Sequence, residues 1–399
     1  MIFKFSCNRR QRRGAVAPMA ALLAAFMIGM VAFAVDLGWM VLVKSDLQNA
    51  ADSAALAGVK PLMDGYVQYQ LTVLPSAKVT VLNTALANAR TYAKRYAGYN
   101  AAGGVNSLTL NDSDIEFGVT DASGAYTAIS GTSTFPNTIK VILRRDSSSN
   151  GALGLYFAPI FGITTVSLNA SAAACMYGGT ANSFVSNPTA NVSVLPITYD
   201  KDSWQIFTLT GLDPDGRLTT YNGYPALQIY PSIKAPGNFG QLSLDASHVG
   251  ASVEIDWVNN GVASSDISGL KNANLIPLSS HDTTKWDWQG DTGLKQSLIS
   301  AINAKAGQQF VLPLFNPYSD SPTYTAPSYS AGTGQGSNYF FQITQFVGIV
   351  IVPSNGNVIV QPVAMVDANI TYTGGSPVPV GTGGATGLVT TFAAPKLTQ

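Results

Sequence analysis

The sequence predicts an α+β protein. A transmembrane helix extends into a membrane-proximal helix, followed by a small α+β module and a β-rich outer domain that is antiparallel and sandwich-like. Residues 15–35 form an uncharged apolar run, long enough at about 1.5 Å per residue to cross a bilayer core of about 30 Å. Helical spacing of apolar residues recurs up to residue 99. Beyond residue 190, short strand-like runs alternate with Gly, Pro, Asn and Asp.

The cations before the apolar run predict its orientation. They are Lys4, Arg9, Arg10, Arg12 and Arg13. Because short cytoplasmic segments are enriched in Lys and Arg, we expect the N-terminus in the cytoplasm and the rest of the chain outside.

Two alternatives to a retained anchor remain. Ala32, Phe33 and Ala34 fit a signal-peptidase site, so the run could be a signal peptide cleaved after Ala34. Against this, the apolar run is long for a signal core, and apolar residues continue to Val43. A buried helix of a soluble protein would leave the basic flank unexplained.

Asp36 follows the run at the expected outer boundary of the membrane, with Trp39 at the depth of an aromatic belt. An acid is costly at the bilayer centre and much less so near an interface. Asp36 is therefore predicted to be a tolerated interfacial acid. The alternative is a specific partner, such as a basic group on a neighbouring helix.

A seam of small and apolar residues continues the helix beyond Asp36, at alternating spacings of three and four. Its members are Met40, Val43, Leu47, Ala50, Ala54 and Ala57. An alanine seam buries too little surface to hold a lone helix, so a second helix is implied. That helix could belong to this chain or to another, and our hypothesis assigns the seam to assembly with another chain. Gly58 and Pro61 are predicted to end the helix.

Residues 9–60 resemble the N-terminal segment of the tight-adherence (Tad) Flp-pilus assembly proteins of the TadE/TadG kind. The resemblance is carried by AVDLG at 34–38 and LQNAADSAALAG at 47–58. It implies a bacterial single-pass inner-membrane protein, with its C-terminal domains in the periplasm or cell envelope, that helps to build or anchor a pilus. The implied partners are the membrane and other Tad/Flp subunits, contacted through the N-terminal helix, and the implied assembly is a homo- or hetero-oligomer.

Two departures from the family pattern argue against prepilin-type cleavage and against a metal-binding adhesion motif. Cleaved prepilin-like members carry an acid five positions after the processed glycine, whereas here the residue five after Gly14 is Met19. The uncleaved, TadG-like form is therefore expected. Some TadG-like proteins also carry a metal-binding adhesion motif, D-x-S-x-S. The similar run that begins at Asp146 ends in Asn150, so that function is not transferred.

Charge and cysteine content argue against nucleic-acid binding and against an intrachain disulfide. The first 35 residues hold five of the 22 Lys and Arg and none of the 22 Asp and Glu, so the remainder has a formal net charge of −5. This weakly charged surface predicts no nucleic-acid partner. Cys7 and Cys175 lie on opposite sides of the predicted membrane and cannot pair. Cys175 is predicted to be a buried small side chain, with an intermolecular disulfide as the alternative.

Pattern changes predict six regions. They are a basic cytoplasmic tip (1–13), the transmembrane and extended helix (14–60), a small α+β module (61–177), a linker (178–190), a β-rich outer domain (191–370) and a Gly/Pro-rich tail (371–399). The module is expected to contain a helix at 78–99 and strands at 107–110, 115–119, 138–143 and 164–172. The outer domain is expected to contain strands at 192–197, 204–209, 226–229, 240–244, 310–315, 339–352 and 358–366, and helices at 264–272 and 292–306.

Candidate sites of chemistry are few, and no catalytic residue, metal site or cofactor is predicted. His248 and His281 have no Cys or carboxylate at ligand spacing. Asp291 of the triplet Asp-Thr-Gly is predicted to cap or open a helix. The acids at 200–202 and 213–216 are predicted to form turns, with Ca²⁺ binding as the alternative.

The aromatic residues of the outer domain suggest a recognition role. Trp286 and Trp288 would point to one side of an extended segment and could contact a glycan or a protein partner. The alternative is that they fill a core. The predicted function is a membrane-anchored, non-enzymatic structural or assembly component of a Tad-type pilus. The alternatives are a surface adhesin or glycan-binding envelope protein on the same anchor and, less favoured, a hydrolase of envelope polymers, since no nucleophile–base set is visible.

Overall fold

The structure is a computed structural model. It describes residues 16–129, 131, 134–184, 191–232, 239–242, 250–263, 287–291, 293–315, 339–372, 376–381 and 388–398.

Helix α1 (Val16–Leu71) is a single helix of 56 residues, about 84 Å long at 1.5 Å per residue. Its two halves have different environments. The side chains of its first half project from the rest of the chain, whereas from Val43 onward one face is buried. The sequence predicts this division, because the uncharged run ends at residue 35 and a one-sided seam follows.

The prediction that α1 ends near Gly58 and Pro61 is wrong, since the helix continues for ten residues past the proline. Proline has no N–H, so one intrahelical hydrogen bond is missing at this point. Leu62, Met63 and Val67 beyond it are all buried in the core. Their burial stabilises a helix that the local signal alone would end.

Gly58 permits close packing instead of ending the helix. A Cβ atom at Gly58 would lie 2.6 Å from Cδ1 of Ile139 and 3.3 Å from the carbonyl oxygen of Ala89. At Gly65 a Cβ atom would lie 2.4 Å from Cβ of Ala85. At Gly65 a larger residue would require α1 and α2 to move apart, whereas at Gly58 the Ile139 side chain would have to shift.

Helix α2 (Pro75–Gly98) confirms the helix predicted at 78–99. It runs antiparallel to α1, since Gly65 meets Ala85 and Gly58 meets Ala89. Its buried face consists of Val81, Leu82, Ala85, Ala89, Ala93 and Ala97. This mostly alanine face lets the two helices approach closely, and α1 also packs on the adjacent sheet.

Eight strands follow α2 in the first half of the chain. They are β1 (Ile115–Thr120), β2 (Tyr126–Ala128), β3 (Thr138–Arg145), β4 (Leu153–Gly154), β5 (Thr165–Val166), β6 (Leu168–Cys175), β7 (Tyr177–Gly178) and β8 (Ala181–Phe184). The strands predicted at 115–119 and 138–143 are confirmed as β1 and β3. The strand predicted at 164–172 is divided into β5 and β6, and the one predicted at 107–110 is not formed.

The second half of the chain holds three helices and thirteen strands among its described residues. The helices are α3 (Lys201–Thr210), α4 (Ala251–Asn260) and α5 (Gln296–Asn303). The strands are β9 (Ile197–Asp200), β10 (Thr219–Tyr221), β11 (Tyr224–Tyr230), β12 (Phe239–Leu242), β13 (Asp287–Asp291), β14 (Gln309–Phe315), β15 (Tyr339–Val352), β16 (Val358–Pro362), β17 (Met365–Val366), β18 (Ile370–Tyr372), β19 (Val378–Pro379), β20 (Thr391–Phe392) and β21 (Lys396–Thr398).

Most predicted outer strands are confirmed, with β11, β12, β14 and β15 matching the runs at 226–229, 240–244, 310–315 and 339–352. The run 358–366 is divided into β16 and β17, and 192–197 forms only isolated bridges before β9 begins. The helix predicted at 292–306 is shorter, as α5, and α4 was not predicted. The helix predicted at 264–272 lies outside the described residues.

The strand predicted at 204–209 is wrong, because these residues belong to helix α3. The run was predicted as one of several short strands between turn residues, yet Trp204 and Phe207 are buried at helical spacing while Ile206 and Leu209 are exposed. The Asp200 carboxylate accepts a hydrogen bond from the Ser203 N–H at 2.6 Å. This N-cap hydrogen bond stabilises the helix relative to a strand.

The larger sheet has ten strands, with the order β10-β11-β16-β15-β13-β12-β9-β14 and with β8 and β18 joined at β15. The pairings are antiparallel except for the parallel pair β9 and β14. Because β14 also pairs with β15, the hydrogen bonding returns on itself through five strands. The α+β class is confirmed, and this part of the β-rich region is a closed circuit of strands.

The chain's last residues complete the first sheet, whose order is β2-β1-β3-β6-β21. In the antiparallel pair β6–β21, Leu397 lies opposite Ala174. The region 371–399, described from the sequence as a Gly/Pro-rich tail, therefore contains paired strands, which include β20 and β21. The predicted linker at 178–190 also contains β8, which pairs with β15 and β18, and residues 185–190 lie outside the described part.

Removing residues 394–399 should uncover the edge of β6. Amides of Ala173, Ala174 and Cys175 that face β21 would lose their acceptors and exchange with solvent faster. Hydrogen–deuterium exchange measures this directly, with the β1–β3 pairing as the internal reference. Unchanged exchange throughout β6 would show that β21 does not protect that strand.

Candidate membrane-facing site

The first half of α1 exposes an unbroken apolar surface. Its large aliphatic, methionine and phenylalanine side chains between residues 16 and 35 are 44% (Val35) to 81% (Val16) exposed. The most apolar window of this helix has a mean hydropathy of 2.3 and no burial within the chain. Such a surface would be unfavourable in water but is suited to lipid. Among the described helices, α1 is long and apolar enough to cross a membrane.

Asp36 closes this surface and is itself 4% exposed. Its Oδ1 accepts hydrogen bonds from the backbone N–H groups of Tyr156 at 2.8 Å and Phe157 at 3.3 Å. Its Oδ2 accepts from the N–H groups of Phe157 at 3.1 Å and Ala158 at 2.7 Å. Of the two readings of Asp36, the specific partner is present, and it is a row of backbone amides instead of a basic side chain.

These amides begin a short 3-10 turn, Ala158–Phe161. The first N–H groups of a helical turn have no partner within it, so a carboxylate placed there satisfies several donors at once. The Trp39 and Tyr156 rings pack beside the contact, with centroids 5.8 Å apart. Asp36 therefore joins the end of the apolar helix to a loop more than a hundred residues away in sequence.

The predicted assembly seam lies inside the protein. Val43, Leu47, Ala50 and Ala54 are completely buried, whereas Met40 and Ala57 are half-buried. Helix α1 packs against this chain's own α2, β3 and β6, and Val43 also lies beside Gly103. The second helix implied by the seam is thus α2, and the assignment of the four buried residues to another chain is corrected. Within residues 16–42 of α1, the side chains remain open to other subunits except for the buried Asp36 and the half-buried Ala32, Trp39 and Met40.

The motif near the metal-binding pattern forms a turn. Asp146 Oδ1 accepts hydrogen bonds from the Oγ and backbone N–H of Ser148 and from the N–H of Ser149. These hydrogen bonds lower the pKa of the Asp146 carboxyl, and the one from the Ser148 hydroxyl has the largest effect. Asn150 takes a left-handed conformation, with φ of 61°. Among the described residues, no group of three or more His, Cys, Asp or Glu side chains is arranged to hold a metal ion.

The other flagged acids have structural contacts. Gly216 N–H donates to the Asp213 carbonyl at 2.8 Å, and Arg217 pairs with Asp213 and Asp215, so the predicted turn is confirmed. Asp200 caps α3. Asp291 was expected to cap or open a helix, but it ends β13, and the N-cap of α5 is Lys295. The Asp291 carboxylate lies 3.9 Å from Lys295 Nζ.

Cys175 is fully buried, as expected for a small core side chain, and this burial raises the pKa of its thiol. Cys7, His248, His281 and Trp286 lie outside the described residues. The backbone of Trp288 belongs to β13, and its side chain is also outside the described part. The proposed aromatic contact of Trp286 and Trp288 therefore stays a prediction.

Comparison with known proteins gives one family match. Residues 14–60 match the family described as putative Flp pilus-assembly TadE/G-like. The matched segment covers the exposed half of α1, Asp36 and the first part of its buried half. No curated protein and no solved structure matches this chain. The resemblance carried by residues 34–38 and 47–58 is confirmed for this segment.

Proposed function

We propose that this chain, whose residues 14–60 are TadE/G-like, is a TadG-like, non-enzymatic structural or assembly component of a Tad-type Flp pilus system. The observation that carries the proposal is the coincidence of that match with the exposed apolar half of α1. The buried part of the same segment belongs to the chain's own core. One continuous helix thus links an anchor to a folded outer region.

In this proposal the protein is a single-pass inner-membrane protein with a cytoplasmic N-terminus. The basic cluster before residue 14 supports this orientation. The folded part, from about residue 43 onward, lies in the periplasm or cell envelope. Other pilus-assembly subunits contact the exposed side chains of α1 between residues 16 and 42. Gly29 and Gly38, beside which a Cβ atom would meet nothing within 4 Å, support close approach of another helix there.

Alkaline carbonate extraction of membranes tests the anchor. The full-length chain should stay in the membrane pellet with its N-terminus intact, because about 20 apolar residues hold a helix in the bilayer. A variant that lacks residues 1–35 should be released. A released natural product that begins near Val35 would instead identify the apolar run as a cleaved signal.

Co-purification with the other pilus-assembly subunits tests the assembly role. The matched control replaces residues 16–35 with an unrelated leucine-rich span of equal length, which keeps the anchor and changes the helix surface. We expect the natural chain, but not this control, to retain those subunits after mild detergent extraction. Equal retention by both chains would exclude the span as the assembly surface.

A further inference from the structure

The loop held by Asp36 presents large apolar side chains to its surroundings. We define the apolar loop as residues 155–163. Tyr156 is 65% exposed, Ile160 79% and Phe161 78%, and Phe157 and Ile163 are also exposed. In water this cluster would be unfavourable, because it forms a contiguous apolar patch instead of scattered single side chains.

The apolar loop lies where α1 leaves its apolar run. Its turn contacts α1, and its first amides bind Asp36, the residue directly after the predicted span. On α1 itself, Val41 and Leu42 remain exposed beyond Asp36. The loop therefore continues the exposed apolar surface of the helix sideways, at the depth where the membrane interface is expected.

Several backbone N–H groups of the apolar loop are hydrogen-bonded within the protein, as an environment with little water requires. Asp36 accepts from residues 156–158, the Leu155 N–H donates to the Thr164 carbonyl at 3.1 Å, and the Ile163 N–H donates to the Ala158 carbonyl at 3.2 Å. The Ile160 and Gly162 N–H groups also bind carbonyl oxygens within the loop. Such pairing is needed wherever backbone enters lipid, because unpaired N–H groups are costly there.

Composition points to lipid as the occupant. Residues 151–175 contain no charged side chain, so the loop offers no ion pair with which to select a protein partner. It does offer aromatic rings, Tyr156 and Trp39, of the kind enriched at membrane interfaces. Continuity with the lipid-facing helix also favours the bilayer over a separate subunit.

The geometry points to a second membrane contact: the apolar loop inserts into the outer leaflet beside α1. This inference rests on the proposed anchor. With two membrane contacts instead of one, the folded region cannot rotate freely about α1. The hydrogen bonds of Asp36 fix the apolar loop to α1 at the end of the predicted span. The long helix and its sheet are thereby held at a set angle to the membrane.

Depth-dependent fluorescence quenching tests the insertion on the full-length chain in phospholipid vesicles. Cys7→Ser and Cys175→Ala remove the natural thiols, and Ile160→Cys carries an environment-sensitive fluorophore. Nitroxide groups are placed on lipids either near the headgroup or near the bilayer centre. We expect blue-shifted emission from position 160 and stronger quenching by the shallow nitroxide, because interfacial segments enter only about 5–10 Å.

Two matched positions complete the design. Phe26→Cys labels the middle of the span and should be quenched most by the deep nitroxide. Leu74→Cys labels a side chain that is 66% exposed and directly precedes α2. It follows the end of α1 at Leu71, which lies about 53 Å along the helix from Asp36. It should show no quenching. Phe161→Cys gives a second reporter in the loop, and an unfolding transition equal to that of the thiol-free parent confirms the fold.

The outcomes separate the two proposals. Quenching at 26 and 160 but not at 74 supports insertion. Quenching at 26 alone overturns the insertion and leaves the anchor intact. Quenching at none of the positions contradicts the anchor itself.

Discussion

Replacement of Asp36 by asparagine is expected to release the apolar loop from α1. The carboxylate accepts four hydrogen bonds of 2.7–3.3 Å from three backbone N–H groups, whereas an amide has one acceptor oxygen and turns its own N–H₂ towards the remaining donors. Hydrogen bonds to a charged acceptor are about twice as strong as neutral ones. Hydrogen–deuterium exchange at the amides of 156–158 should therefore accelerate by roughly tenfold or more in the variant.

Asp64→Asn is the matched control on the same helix. Its carboxylate pairs with Lys60 at 2.6 Å, but both side chains are nearly half exposed. Exposed pairs of this kind contribute little, so exchange at residues 156–158 should stay at the natural rate. Equal protection of these amides in the natural chain and in the Asp36→Asn variant would show that the contact does not hold the loop.

Gly65→Leu should destabilise the folded region strongly. A Cβ atom at position 65 would lie 2.4 Å from Cβ of Ala85, so α1 and α2 must separate before a larger side chain fits. Overpacking of this kind costs about 1–3 kcal/mol or more, which outweighs the gain of about 1 kcal/mol from removing glycine from a helix. Thermal unfolding in detergent, followed by circular dichroism, should show a lower midpoint.

Two comparisons isolate the packing effect. Gly38→Leu changes a glycine of the same helix that has nothing within 4 Å of its added Cβ, and the unfolding midpoint should not fall. In a double-mutant cycle, Ala85→Gly should offset much of the loss caused by Gly65→Ala, because the next contacts lie at 3.5 Å. Strict additivity of the two changes would contradict close packing between these positions.

Local patterns predicted most of the helices and strands. Helix α2 follows from periodicity, because its buried residues recur at helical spacing. The run 339–352 was also predicted as a strand and forms β15. Failures arose where two physical signals competed. At α3, a short run that was predicted as a strand forms a helix with Asp200 as its cap. At Pro61, the missing hydrogen bond was outweighed by the buried residues that follow.

Part of the candidate site was also predictable from the sequence. The apolar run, its basic flank and an acid at its end are adjacent in the chain, so their spacing alone predicted an anchor with Asp36 at its boundary. The amide partners of Asp36 were not predicted. The available signal was the uncharged stretch 151–175, but nothing in its spacing relates it to residue 36.

The sequence by itself determined the lipid-suited run, the small-residue seam and the need for a second helix, since each depends on residues within a few turns of one another. Only the tertiary structure decided that α2 fills this seam, that β21 returns to complete the first sheet, and that a distant loop surrounds Asp36. These choices pair segments 20 to more than 200 residues apart. Such pairings depend on the packing of the whole core, because close approach, edge pairing and buried polar groups are satisfied only when the partners meet.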